Sequence, residues 1–326
     1  MSSPSAESTV PSPEPAVAPD AEPIRAVPVR HYGRWVAGAV ILFIAFIVVR
    51  SVVTNSNLQW GVVGDYLFDD RILRGLQNTL ILTAISMVIG VVGGVLLAVM
   101  RLSPNPLMSG AAGIYIWLFR GTPLITQLLV WNYLAAAYPR IGLGIPFGPE
   151  FVSWNTNNLI NLFAASLLGL GLNEAAYMAE IVRGGIESVD SGQLEAASAL
   201  GMKRTTTLRR IVLPQAMRVI IPPTGNETIA MLKTTSLVVV IGYFELMVAV
   251  QQIYAQNYKI IPLLLAAAVW YLFMTSILTL IQMQIEKRFS RGASKGVAEQ
   301  RKWRSRMLGF RFGTGGGGAG TGGATA

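Results

Sequence analysis

The 326-residue sequence contains no cysteine and one histidine, His31. Without cysteine there is no disulfide framework, thiolate zinc site or thiol chemistry, and a lone histidine in a basic stretch gives little basis for metal binding or for catalysis through imidazole. Charged residues are scarce, at 13% of the chain. The pattern GxxxxGK followed by Ser or Thr does not occur, so the chain has no phosphate-binding loop of that type for a nucleotide.

Long apolar runs dominate what is present. Hydrophobic residues make up 52% of the chain, which is typical of an integral membrane protein. A spanning helix needs about 20 apolar residues. The run that starts at Trp35 could be a signal-peptide core, but no small-residue cleavage site follows it, which favours a retained helix. The sequence therefore predicts an all-α membrane protein with six spans, at about residues 35–53, 76–100, 111–138, 159–183, 218–244 and 262–285.

The basic residues predict the orientation of these spans. Of the 26 lysines and arginines, 19 fall on the side that holds both termini and five on the other, while Arg120 and Lys233 lie at membrane depth. The positive-inside rule then predicts a protein of the cell membrane with both termini in the cytoplasm. The net charge of +9 is spread over loops, and no basic helix with interleaved aromatics suggests a nucleic-acid partner.

Composition along the chain divides it into five parts. The first is poor in apolar residues and rich in proline, and the last is basic and then glycine-rich, as expected of flexible tails. The predicted parts are a disordered cytoplasmic tail (1–34), an extra transmembrane helix (35–53), an extracytoplasmic connection with an interfacial segment (54–75), a transmembrane domain (76–286) with a cytoplasmic loop at about 187–214, and a cytoplasmic tail (287–326).

The charged stretch Glu195–Pro214 cannot lie in hydrocarbon, so it is predicted to be a loop between spans. Its first half is rich in alanine and favours a short helix with small side chains, and Gly201 stands where a C-terminal capping glycine belongs. Pro214 is expected to force the backbone out of regular helix before the next span. The other interpretation is an ordinary basic connecting loop.

The spacing EAA, three residues, Gly, nine residues, Ile-x-Leu-Pro resembles the coupling loop of ABC importer permeases. Other stretches narrow the resemblance to polar amino acid permeases: GLQNTL (75–80), FRGTPLITQL (119–128), the run 172–201 and the run 213–237. The resemblance implies the transmembrane domain of a type I ABC importer, with a five-helix core plus one extra N-terminal helix. It implies ATPase-coupling residues Glu195, Ala196, Ala197, Gly201, Ile211, Leu213 and Pro214.

The resemblance also implies partners. They are a separate ATPase subunit that holds ATP and Mg, an extracytoplasmic amino-acid-binding protein and a second permease subunit, identical or not, in the lipid bilayer. The chain itself would bind no cofactor and would not be an enzyme. The alternatives are a passive channel or a membrane-embedded enzyme, although no serine nucleophile motif or paired aspartates appear.

Polar residues within the spans are candidates for a substrate pathway, because burying them in lipid is costly. Asn173, Tyr177 and Glu180 form one helical stripe, whereas Glu174 lies one position off it. Glu180 and Glu227 could bind an ammonium group, and the remaining candidates for a carboxylate are Asn226, Lys233 and Thr235. Alternatively, Glu180 or Glu227 pairs with Lys233 and the groups are structural.

Two backbone features complete the sequence-based expectations. Gly121 and Pro123 should interrupt the second span, Thr122 can satisfy a freed carbonyl, and Arg120 then either pairs with an acidic group or lines a gate. Gly90, Gly94 and Ala98 recur every four residues, a stripe that would allow another helix to approach closely.

Overall fold

A computed structural model describes residues 32–145 and 150–289 of this chain. The predictions for residues 1–31 and 290–326, which include most of both tails, lie outside the described residues. The contacts divide the chain into two units, residues 1–57 and 58–326. Each unit is considered by itself.

The first unit contains the helix α1, Tyr32–Thr54. Its 23 residues have a mean hydropathy of 2.7 in the most apolar window, and none of its side chains is buried within the chain. A helix of this length and composition can cross the roughly 30 Å of bilayer hydrocarbon. A short 3₁₀ turn, Ser56–Leu58, follows it.

The second unit is a helical bundle with one two-stranded hairpin. Its elements follow in chain order: α2 (Trp60–Leu67), α3 (Asp70–Arg101), α4 (Pro106–Gly121), α5 (Leu124–Asn132), α6 (Leu134–Ala137), β1 (Arg140–Gly144), β2 (Glu150–Asn155), α7 (Thr156–Leu159), α8 (Leu162–Glu187), α9 (Ser191–Ala199), α10 (Arg204–Thr207), α11 (Leu213–Thr234), α12 (Leu246–Asn257) and α13 (Ile260–Phe289). A π-helical turn, Leu208–Val212, precedes α11, and a 3₁₀ segment, Thr235–Ile241, follows it.

Four helices of the described residues are long and apolar enough to cross a membrane: α1, α3, α8 and α13. Two further pairs pass the same criterion with a bend between their halves. The pair α4 and α5 is bent by 101°, and the helix that ends at Ile241 is bent by 48° from α12. Counting each bent pair once gives up to six spans, one for each apolar run of the sequence.

The hairpin between the second and third predicted spans was not anticipated from the sequence. Strands β1 and β2 pair antiparallel, with Ile141 opposite Trp154 and Leu143 opposite Val152. In β1 the two large apolar residues alternate with glycines, a period of two that suits a strand and not a helix. Nearly all of both strands is exposed.

The closest helix packing in the bundle is between α3 and α8, and it follows the predicted stripe of small residues. Gly90, Gly94 and Ala98 are all buried. A Cβ on Gly94 would stand 2.9 Å from the backbone nitrogen of Ala179, and a Cβ on Gly90 would collide with the side chain of Glu174. The expectation that the stripe admits a neighbouring helix is therefore confirmed.

A buried carboxylate holds the bend before α12. Glu245 is fully buried and caps this helix by accepting the backbone N–H of Val248 at 3.0 Å. It also accepts the hydroxyls of Tyr271 on α13 at 3.1 Å and Thr79 on α3 at 3.3 Å. These bonds tie three helices together, and buried polar groups of this kind are costly to leave unpaired.

Candidate functional site

The loop after α8 folds as the short helix α9 with a defined start and end. The carboxylate of Asp190 accepts the backbone N–H of Gly192 at 2.7 Å and caps the start. At the end, Gly201 adopts a φ of +66°, its N–H donates to Ser198 O at 3.0 Å, and the N–H of Met202 donates to Ala197 O at 3.0 Å. These two bonds make a Schellman turn, which explains why glycine stands at position 201.

The side chains of α9 divide into an exposed face and one buried contact. Glu195 and Ala196 are exposed, as is Gly201. Ala197, one of the predicted coupling residues, is only 1% exposed, because it packs against its own chain. It therefore does not contribute to the free surface of the helix. Leu200, which was not among the predicted coupling residues, is 80% exposed. The free face of α9 is therefore small and partly apolar.

The exit of the loop differs from the expectation for Pro214. This proline lies in the first turn of α11, where its missing N–H interrupts no helical hydrogen bond, so it does not end the helix. The irregular stretch comes just before it, as the π-helical turn Leu208–Val212 that includes Ile211. Leu213 opens α11 and is exposed, at 45%.

A network of side-chain amides closes the break between α4 and α5. The hydroxyl of Thr122 donates to Leu118 O at 2.8 Å, as expected. The amide of Gln127 donates to Phe119 O at 2.9 Å and to the hydroxyl of Thr122 at 2.8 Å, and Asn173 of α8 also donates to Phe119 O, at 2.9 Å. The freed carbonyls are thus satisfied. Asn173 therefore stabilises the break between α4 and α5. Gln127 was not predicted to do so, because a single glutamine in a span forms no sequence pattern.

Arg120 lies beside this break and contacts an aromatic ring of α8. Its guanidinium carbon stands 5.2 Å from the centroid of the Tyr177 ring, a cation–π contact between α4 and α8. Among the described residues it forms no ion pair. Gly121 and Pro123, which flank the break, are exposed, and Tyr177 is 37% exposed. The contact joins two of the predicted functional residues.

The ion pairs of α8 also differ from the structural alternative that the sequence suggested. Glu180 pairs with Arg183 at 2.6 Å, and Arg183 pairs with Glu187 at the same distance. Within the part of the chain that the structure describes, neither Glu180 nor Glu227 forms an ion pair with Lys233. The alternative that paired Glu180 with Lys233 is therefore wrong, because Arg183, one turn further along α8, reaches Glu180 instead.

The remaining polar candidates lie on α11 and just after it. Asn226 accepts from the amide of Gln282 at 2.9 Å, and the buried hydroxyl of Thr235 donates to Leu232 O at 2.7 Å. Both side chains therefore have partners within the chain. Lys233 is exposed and lines a separate open cavity of about 640 Å³.

Among the described residues, two buried side-chain oxygens have no hydrogen-bond partner. They are Oε1 of Glu174 on α8 and Oγ of Ser86 on α3, whose residues are 5% and 0% exposed. Glu174 lies against Gly90, one turn after Ser86, and Glu227 of α11 is near enough to interact with it electrostatically. The sequence favoured Glu180 over Glu174 as a pathway residue, because Glu180 lies on the same helical stripe as Tyr177. Of the two carboxyl groups, however, it is that of Glu174 that is buried. In the described residues no group of three or more His, Cys, Asp or Glu could hold a metal ion.

Comparison with known proteins gives the family. Residues 90–291 match the model of the binding-protein-dependent transport system inner membrane component. The arginine transport system permease protein ArgU of Corynebacterium glutamicum is 49% identical over 276 residues, which cover 84% of this chain and 85% of that protein. The nopaline transport system permease protein NocM of Agrobacterium fabrum is 36% identical over 66% of this chain and 86% of its own length.

A solved structure agrees with these relatives. The crystal structure of an amino acid ABC transporter with histidines contains a chain that is 35% identical and superposes with a TM-score of 0.57, over 67% of this chain and 94% of that one. The family consists of membrane components of transport systems and not of enzymes. The present chain therefore belongs to the family of binding-protein-dependent transport system inner membrane components, and its fold is that of the transmembrane domain of an ABC importer.

Proposed function

We propose that this chain carries a polar amino acid across the cell membrane and is driven by a separate ATPase subunit through the loop Glu195–Pro214. The free face of α9 supports this role, because its small side chains leave the helix accessible to a groove. Glu195 offers a carboxylate and Leu200 an apolar anchor, while the Schellman turn at Gly201 fixes the exit of the chain. ATP and Mg would be held by the partner.

The remaining partners follow from the same proposal. An extracytoplasmic binding protein delivers the amino acid, and a second permease subunit, identical or not, completes the path in the bilayer. The distribution of basic residues favours a cytoplasmic position for α9 and both termini, on the side where the ATPase subunit would bind. The exposed helix α1 would be an additional membrane anchor outside the five-span core, and the connection before α3 would be extracytoplasmic.

The substrate class is proposed to be a cationic amino acid. The observation that carries this step is Glu174, a buried carboxyl group with an oxygen that has no partner, beside the carboxyl group of Glu227. A guanidinium or ammonium group would give this buried oxygen a partner and would offset the cost of burying a carboxylate there. The relative ArgU is named for arginine transport, which agrees with this chemistry.

The other polar groups complete the proposed pathway. Tyr177 and Arg120 form an exposed pair beside the α4–α5 break, where the guanidinium could receive the carboxylate of the substrate. Asn173 would act indirectly, by holding the break. Asn226, Lys233, Thr235 and Glu180 would contribute polarity along the path, with Glu180 oriented by Arg183.

The test is uptake by proteoliposomes that contain the permease, its ATPase and its binding protein. Arginine uptake should require ATP and should exceed glutamine uptake. Glu174→Gln and Glu227→Gln should each lower arginine uptake at least tenfold, because each removes a carboxyl group that would pair with the cationic substrate. Glu187→Gln, an exposed carboxylate paired with Arg183, is the matched control and should retain uptake.

Three outcomes would overturn parts of the proposal. Arginine flux that continues without ATP would indicate a passive channel. Equal loss in Glu187→Gln would show that the effect comes from charge in general and not from Glu174 and Glu227. Undiminished arginine uptake in Glu174→Gln and Glu227→Gln would remove both residues from the substrate pathway.

A further inference from the structure

A groove lined by apolar side chains runs along four helices on the side of the bundle that continues into the coupling loop. Its volume is about 480 Å³, within the range of about 300–1,000 Å³ for ligand pockets. The groove is formed by α3, α8, α11 and α13, represented by Val95, Val182, Met217, Ile221, Leu278 and Ile285.

The few polar side chains that line the groove already form hydrogen bonds within the chain. The hydroxyl of Thr224 donates to Ile220 O at 2.8 Å, and that of Thr228 donates to Thr224 O at 2.9 Å. The amide of Gln282 donates to Asn226 Oδ1 at 2.9 Å. The groove therefore suits an apolar ligand, and it is unsuited to the polar amino acid proposed above.

One end of the groove is basic. Leu208 and Leu213 line it at the coupling-loop end, and Arg209 and Arg210 stand between these two leucines in the chain. On α13, Arg288 follows Ile285 by three residues, which puts it on the same helical face. All three arginines are exposed and form no ion pair within residues 32–145 and 150–289.

The acidic groups near this end do not cancel the arginines. Glu286 keeps its charge, since it accepts a hydrogen bond only from the neutral amide of Gln282 at 2.8 Å, but three arginines outnumber it, and Glu187 is paired with Arg183. Lys287 follows Ile285 by two residues, so it lies on the opposite face of α13 and away from the groove. An apolar groove whose end is lined by residues close in the chain to three exposed arginines without ion pairs is complementary to one class of molecule, an acyl chain with an anionic headgroup.

We propose that the groove binds an anionic phospholipid, with an acyl chain along the groove of α3, α8, α11 and α13 and the phosphate near Arg209, Arg210 and Arg288. From Leu213 to Ile229 the α11 side of the groove extends about 24 Å, at about 1.5 Å per residue. This exceeds the roughly 15 Å of one leaflet of hydrocarbon, so an acyl chain can lie within it. The cytoplasmic leaflet carries anionic lipids and basic pockets between spans bind their headgroups, so the site rests on the proposed orientation.

The experiment uses the purified full-length chain with defined lipids and needs no ATPase partner. Detergent-solubilised protein is mixed with equal amounts of phosphatidylglycerol and phosphatidylcholine, and native mass spectrometry measures the retained lipid. The wild type should retain phosphatidylglycerol preferentially. In the triple variant Arg209→Gln, Arg210→Gln, Arg288→Gln this preference should fall by about a hundredfold, because each basic group near the headgroups contributes a factor of about five.

A matched control separates specific binding from net charge. The variant Arg101→Gln, Lys203→Gln, Lys287→Gln removes the same number of charges from the same side of the bundle and should keep the preference, because Arg101 donates to Ser109 on α4 at 2.8 Å and neither lysine lines the groove. Val95→Trp fills the groove from an exposed position on α3 and should reduce retention of both lipids. A temperature scan verifies that each variant is folded.

Several results would overturn the lipid site. Equal retention of the two lipids by the wild type would do so, and so would equal losses in the two triple variants. If Val95→Trp abolishes self-association and leaves lipid retention unchanged, a second copy of the chain covers the groove. Because none of these measurements involves uptake, failure of the lipid site and failure of the amino acid transport proposal are distinguishable.

Discussion

Replacement of Gly201 tests whether α9 works through the shape of its C-terminal turn. At a φ of +66° an L-residue costs about 1–2 kcal/mol more than glycine. A Cβ at this position has no atom of the chain within 4 Å, so that cost is purely one of backbone conformation. Alanine therefore measures the strain alone, valine adds the strain of a β-branched side chain, and asparagine adopts this conformation readily.

The size of the effect follows from the length of the helix. At nine residues α9 is shorter than the roughly 12–15 residues that an isolated helix needs, so its order depends on its caps and packing. A loss of about 1–2 kcal/mol changes the ratio of ordered to disordered loop by about 5–30-fold. We expect ATP-dependent uptake to fall by a similar factor in Gly201→Ala, further in Gly201→Val and little in Gly201→Asn.

The assay compares initial uptake rates in proteoliposomes that contain equal amounts of inserted permease. Gly201→Asp should abolish transport without preventing insertion, and its difference from Gly201→Asn isolates the effect of a negative charge at the ATPase surface. If Gly201→Ala transports like the wild type, or if asparagine is as harmful as valine, the backbone conformation at this position does not control coupling.

Three further predictions concern the bundle. Gly94→Ala should lower the melting temperature, because the added Cβ would stand 2.9 Å from the backbone nitrogen of Ala179, whereas Gly110→Ala on α4, where a Cβ meets nothing within 4 Å, should not. Asn173→Leu leaves a donor of the α4–α5 break missing and should cost about 1–3 kcal/mol in a denaturation series; an unchanged midpoint would contradict the bracing role. Glu245→Ala should destabilise the protein by a similar or larger amount, and equal stability would show that its three hydrogen bonds contribute little.

The features that were predictable from the sequence are those set by local signals. The apolar runs determine where helices form, and the alanine-rich stretch before Gly201 is sufficient to predict a short helix with a glycine at its C-terminal turn. Gly121 and Pro123 likewise predict an interruption. Its 101° bend depends on how Gln127 and Asn173 satisfy the freed carbonyls, and these residues come from different helices.

The features that were missed depend on tertiary packing. A stripe along α8 assigns the same face to Tyr177 and Glu180, but only the approach of α3 at Gly90 shows that the next face buries Glu174. Ala197 resembles Ala196 in the sequence, and their different exposure comes from what lies beneath α9. The role of Glu245 requires a hydroxyl from each of two distant helices, which no spacing in the chain indicates.

The π-helical turn Leu208–Val212 determines where this chain can lose a single residue without rotating the coupling loop. Such a turn holds one more residue than an α-helical turn, and Leu208 and Leu213, five residues apart, accordingly line the same groove. Loss of one residue here would restore an α-helical turn with the helical phase on both sides nearly unchanged. Loss of one residue at Val219 would instead rotate the whole coupling loop by about 100° relative to the rest of α11. Single-residue insertions and deletions among relatives should therefore collect in this turn and be absent from α11.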